Sequence, residues 1–273
     1  MAAYAAAVTF PHQPVQWLVN QIAIRITHRH LYQLSAAIAL ALALVLTTIL
    51  PRQWKAQPER RTLALFWILT LALIGLTWRV FTANNVELVH YPQYFPEGMA
   101  LAALTFSPVE SMAWIALFGG LDECFQYWVL ANGKPVPFDF NDVYMDLLGG
   151  AAGVLFAIAF LRCRSRRGAV PAPPRLWRRP GVIAILAVLA AGILLWSLRL
   201  MLLFADPANH HYWFALSRFA APEFWFQVPA NGPNRYHTLS PLEGPLLILA
   251  TLALYAQIDR RVKISAPPPG KTD

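Results

Sequence analysis

Three aspartates at steps of three and four, Asp139, Asp142 and Asp146, are followed in the same rhythm by Gly149 and Gly153. On a helix that spacing lays three carboxylates and two glycines along one stripe. A short way upstream stand Asp122, Glu123 and Gln126, the last two separated by three residues and so neighbours on one helical face. Crowded carboxylates suit acid–base chemistry or the binding of a polar or charged ligand. Glu123 lies inside an apolar run, where N-capping is excluded. It serves either as a structural polar pair or in a substrate, ion or catalytic role. Asp139 directly precedes an apolar stretch, so capping that helix and lining the site both suit it.

The elements that must position these groups are apolar blocks. Hydrophobic residues fill 57% of the 273 positions and charged residues 13%, against roughly 25% charge in ordinary soluble domains. Mean hydropathy is +0.44. About 20 apolar residues, rising 1.5 Å each, cross a hydrocarbon core about 30 Å thick. On that measure spans are expected at 31–50, 62–81, 91–106, 108–130, 140–161, 181–204 and 241–258. The fold predicted is all-α, a polytopic transmembrane helix bundle of about seven spans. Pro92 and Pro96 interrupt the third span, so its regular helix is expected only from near Pro96. Ser107, Pro108 and Glu110 read as a capping box that starts the fourth. A tight loop over 131–138 makes the fourth and fifth spans antiparallel neighbours, which brings Asp122, Glu123, Asp139, Asp142 and Asp146 to one membrane depth.

Charge orients the bundle. The segments 51–61, 162–180 and the C-terminal tail hold fifteen of the 22 basic residues, and all fall on one side of a seven-span arrangement. The positive-inside rule makes that side cytoplasmic. The pI near 9.8 therefore reflects membrane-surface charge, and nucleic acid is not expected as a partner. Ten of the 14 carboxylates lie on or near the opposite, outer face. No cleavable leader is expected, because residues 1–30 lack a long apolar core. Cys124 and Cys163 give neither a disulfide framework nor a metal spacing.

Residues 205–240 are too aromatic for a plain hydrophilic loop, with Tyr212, Trp213, Phe214, Phe224, Trp225, Phe226 and Tyr236 among them. An aromatic belt at the interface and a lid over the acidic site both fit. His210, His211 and His237 lack metal-ligand spacing, so no metal is expected. Arg79 and Arg199, near outer helix ends, either snorkel to the interface or pair with the acids.

The stretch from about Val86 to Gly153 resembles the VanZ-like membrane proteins. The resemblance rests on His90, Tyr94 and Gly98 at four-residue steps, then Gly120 before the acid-x-x-Gln pair Glu123 and Gln126. Asp139-x-x-Asp142 with Gly149 and Gly153 completes it. Asp146 stands where the family usually has Asn, and Val136 where it commonly has Arg. A histidine at a membrane boundary commonly serves as an interfacial hydrogen-bonder; the family pattern places His90 in the polar site instead.

The resemblance implies a four-helix VanZ-like core at 62–162, preceded by an N-terminal interfacial segment and first helix at 1–61. A basic linker at 163–180 and a further helix pair with aromatic loop and basic tail at 181–273 follow it. Glu123, Asp142 and His90 are the expected catalytic residues, and Tyr94, Asp122, Gln126, Asp139 and Asp146 the binding ones. The family's named member is associated with resistance to the glycopeptide teicoplanin. The expected function is binding or modifying an envelope lipid or glycan precursor on the outer side. A membrane scaffold and a transporter are the alternatives. No nucleotide-binding loop, nucleophile elbow or zinc-protease motif appears, and no cofactor is expected.

Overall fold

The computed structural model describes residue 21 and residues 60–83, 85–130, 138–164, 175–206, 208, 211–217, 220–221, 223–227 and 235–261. The expected first span at 31–50, the segment before it, most of the 131–138 loop and of the basic linker, His210 and the last 12 residues lie outside these.

Six α-helices are found among the described residues: α1 Arg60–Phe81, α2 His90–Thr105, α3 Pro108–Phe125, α4 Phe140–Arg164, α5 Pro180–Ser197 and α6 Glu243–Arg261. Three of them, α1, α4 as far as Ala159, and α5, are long and apolar enough to cross a membrane. Of the others, α2 has only 16 residues and carries the buried Glu97, α3 carries the buried Glu110, Asp122 and Glu123, and α6 carries Glu243, Asp259, Arg260 and Arg261.

The expected boundaries shift at three places. α2 begins at His90 rather than near Pro96. Pro92 falls in its first turn, where no intrahelical donor is lost, and Pro96 removes only the bond back to that turn. α3 ends at Phe125 and passes into a π turn, Gln126–Leu130. The span expected to reach 204 stops at Ser197; Arg199 takes φ 58°, and the chain enters strand β1, Met201–Leu202. β1 pairs in parallel with β2, Phe214–Ala215, with Met201 opposite Phe214, so the all-α expectation misses a small sheet.

The expected capping box at α3 forms only in half. Ser107 Oγ accepts from Glu110 N–H at 3.2 Å, but Glu110 Oε1 turns to Trp114 Nε1 and Gly181 N, both at 2.7 Å. The complete box belongs to the same tetrapeptide pattern at Ser240-Pro241-Leu242-Glu243. There Glu243 N donates to Ser240 Oγ at 3.2 Å, and Ser240 N donates to Glu243 Oε2 at 2.8 Å. Glu243 is exposed, and its Oε2 serves Ser240 N while also lying 3.4 Å from His237 Nε2, whereas Glu110 is buried and its Oε1 is turned to the N-terminus of α5.

α4 is the core of the bundle and packs against α1, α2, α3 and α6. Its tightest contact is with α2. A Cβ at Gly153 would overlap the carbonyl of Phe95, and one at Gly98 the carbonyl of Gly150. Glycine at these positions lets the two backbones touch, the small-residue packing that replaces hydrophobic drive where lipid is the solvent. α5 instead lies mostly exposed, with Gly181 and Ile185 its buried residues. At the end of the bundle away from His90, Arg179 reaches both Ser107 Oγ and the Asp259 carboxylate, tying the starts of α3 and α5 to the end of α6.

Candidate functional site

The α2–α4 glycine contact fixes what lies one turn beyond it. The carbonyl of Tyr91 rests against Gly149, so the preceding residue, His90, is held level with Asp142 and Asp146. His90 Nδ1 lies 2.8 Å from Asp146 Oδ1, and Nε2 lies 3.5 Å from Asp142 Oδ2. Both ring nitrogens thus face carboxylates, the arrangement that suits the doubly protonated imidazole. The His90 and Asp146 side chains are 5% and 1% exposed and Asp142 is 18%, so the open side of this triad is at Asp142.

Glu123 enters from α3. Gln126 Nε2 donates to its Oε1 at 2.8 Å, and the backbone N–H of Asp139 donates to its Oε2 at 3.0 Å. The same Gln126 amide reaches Asp122 Oδ2 at 3.3 Å. The acid-x-x-Gln pair therefore joins the end of α3 to the start of α4. Asp139 itself acts as a cap: its Oδ1 accepts from Asn141 N–H at 2.8 Å. Burial and the neighbouring Asp142 push the Asp139 carboxyl up to about 7, opposed by the Asn141 N–H and by His90. Tyr94 is buried beside Asp146, Asp122, Glu97 and Glu123. All eight expected site residues thus occur at one end of α2, α3 and α4. Asp139 turns its side chain to the backbone rather than into the cluster.

No family model matches the chain. No curated protein and no solved structure matches it either.

Two further residues of this region, Glu97 and Asn141, are not among the expected site residues. Glu97 stands in the middle of α2, 1% exposed, with Oε1 lacking a hydrogen-bond partner. It follows His90 by seven residues, two turns along the same face, and that spacing is the signal that could have found it. Asn141 sits beside the carboxylate stripe and works as a clamp. Its Nδ2 donates to Phe81 O at 3.1 Å and to His237 O at 2.8 Å, and its Oδ1 accepts from Leu239 N at 2.8 Å. It binds the end of α1 and the approach to α6 onto α4, and sequence offers no local sign of such distant backbone partners.

The aromatic segment packs on the same end. Phe214 meets Tyr127, Trp128 and Phe138 at centroid distances of 4.5, 5.0 and 5.7 Å, and Ala215 N donates to Tyr127 Oη at 3.2 Å. Arg79 lies over the Trp225 ring at 5.9 Å rather than against the acids. His237 stacks on Phe224, and its Nδ1 faces the Phe224 carbonyl at 2.9 Å. Among the described residues, no group of three or more His, Cys, Asp or Glu side chains is arranged to hold a metal ion.

Proposed function

We propose that this chain is a multi-pass protein of the cell (plasma) membrane, VanZ-like over α1–α4. Its acidic site faces outward and binds or modifies an envelope lipid or glycan precursor. The seven-span topology, with basic loops and C-terminus cytoplasmic, is part of that reading. The observation that carries it is His90 between Asp142 and Asp146, with Glu123 one helix away at the same end of the bundle. An imidazole oriented by one carboxylate and open towards another is an acid–base arrangement. Asp142, the more exposed of its two partners, is the residue best placed to meet a substrate. The Phe214 cluster with Tyr127 and Phe138 supports a cover that receives the apolar part of a lipid-linked molecule.

The test replaces Glu123→Gln and Asp142→Asn singly and compares lipid-linked envelope precursors by mass spectrometry. Altered precursor pools at normal membrane insertion are expected. Pools identical to wild type, with both variants inserted normally, would overturn the reading. A transporter is favoured by one specific observation, the buried mid-helix position of Glu97.

A further inference from the structure

Among the described residues the cluster has little positive charge and holds three acceptors without a donor. Glu97, Asp122 and Asp146 are 1% exposed each and come from α2, α3 and α4. Each presents one oxygen without a hydrogen-bond partner: Glu97 Oε1, Asp122 Oδ1 and Asp146 Oδ2. The three carboxyls lie within electrostatic range of one another and of Tyr94. Asp146 spends its other oxygen on His90, and Asp122 its other on Gln126. Glu123, Asp139 and Asp142 add three more carboxyls at the same end, and His90 is the base that pairs with the cluster among the described residues. Buried acceptors left unpaired are costly, and buried charge is ordinarily matched by opposite charge. Each of the three oxygens is an acceptor, so the complement it lacks is a hydrogen-bond donor.

We infer that the Glu97–Asp122–Asp146 cluster binds a primary ammonium group, whose three N–H donors match the three unpartnered carboxylate oxygens. The inference rests on the proposed outer site and names its substrate class: an amine-bearing head group or sugar rather than a phosphate. A phosphate placed here would meet carboxylates on three helices. The partly open Asp142, beside His90, marks the way in. The same chemistry is offered by an aminated lipid head group and by a soluble amine.

The full chain is purified in detergent and its thermal unfolding followed by tryptophan fluorescence. Ethylammonium chloride is compared with tetramethylammonium chloride and sodium chloride at equal ionic strength. A second arm compares nanodiscs of phosphatidylethanolamine with nanodiscs of phosphatidylcholine. Ethylammonium is expected to raise the midpoint by roughly 5 °C near saturation, and tetramethylammonium, which has no N–H, is expected not to. Glu97→Gln and Asp122→Asn should fold, since each removes an unpaired buried oxygen's charge, and should weaken the ethylammonium response by about 10- to 100-fold in concentration. A midpoint higher in phosphatidylethanolamine identifies the lipid source. Equal midpoints with a response to ethylammonium identify a soluble one. An equal response to tetramethylammonium or sodium, no response in either arm, or an undiminished response in both variants would overturn the inference. Altered precursor pools in Glu123→Gln alongside such a failure would leave the wider reading standing and remove only the amine.

Discussion

Asp146 Oδ2 lies so close to Gly119 that a Cβ at 119 would stand 2.9 Å away, while Asp146 Oδ1 meets His90 Nδ1 at 2.8 Å. The carboxylate is thus wedged between the imidazole of α2 and the backbone of α3.

Substitution at the bundle's glycines should separate site from scaffold. Gly119→Ala meets only a side chain, its nearest atom the end of the Asp146 carboxylate, which can rotate; a loss under about 1 kcal/mol is expected. Gly153→Ala overlaps the Phe95 carbonyl, and backbone cannot swing aside. A loss of about 1–3 kcal/mol or more is expected there. Thermal unfolding in one detergent ranks the two, and equal midpoints would refute the close α2–α4 contact.

Asn141→Leu strands the Phe81 and His237 carbonyls and the Leu239 N–H. Each buried orphan costs about 1–3 kcal/mol, less where water reaches it. Amide exchange across 235–240 should accelerate markedly. Protection unchanged in that stretch would show that Asn141 is not the clamp.

Asp139 gives the stability a pH dependence. Its carboxyl, raised to about 7 by burial and Asp142, titrates near 4 in the unfolded chain. Protons therefore bind the folded state more tightly. The contribution is fully present below about pH 4 and is lost as pH rises through about 7. Asp139→Asn keeps the cap and removes the titration. The variant should gain on wild type between pH 6 and about 8 in midpoint measurements, and a constant difference across that range would contradict the assignment.

The two Ser-Pro-x-Glu starts respond differently to loss of the serine. Ser240→Ala should cost about 1 kcal/mol, the usual worth of an N-cap. Ser107→Ala should cost more, because its hydroxyl also meets Arg179 and donates to Asp259 Oδ2 at 3.0 Å. Midpoint shifts of equal size would argue against the shared Arg179–Asp259 contact.

Sequence alone determined the six described helices, apart from their ends, and the carboxylate stripe, because hydropathy and a rhythm of three and four are properties of the local chain. Asp142, Asp146, Gly149 and Gly153 read as one face, and the helix carries them as one face towards α2. What needed tertiary structure was every relation between elements. The pattern Ser-Pro-x-Glu is the same at residues 107 and 240, yet only the exposed one closes its box, because the packing of α3 against α5 turns Glu110 Oε1 to Trp114 Nε1 and Gly181 N. The aromatic segment was legible in composition as more than a plain hydrophilic loop, but its parallel strand pair and the seating of Phe214 depend on partners far along the chain. Glu97 shows the same divide most clearly. Its type and its two-turn distance from His90 are written in the sequence, whereas its burial with an unpartnered oxygen among acids of two other helices is set by how closely three helices pack.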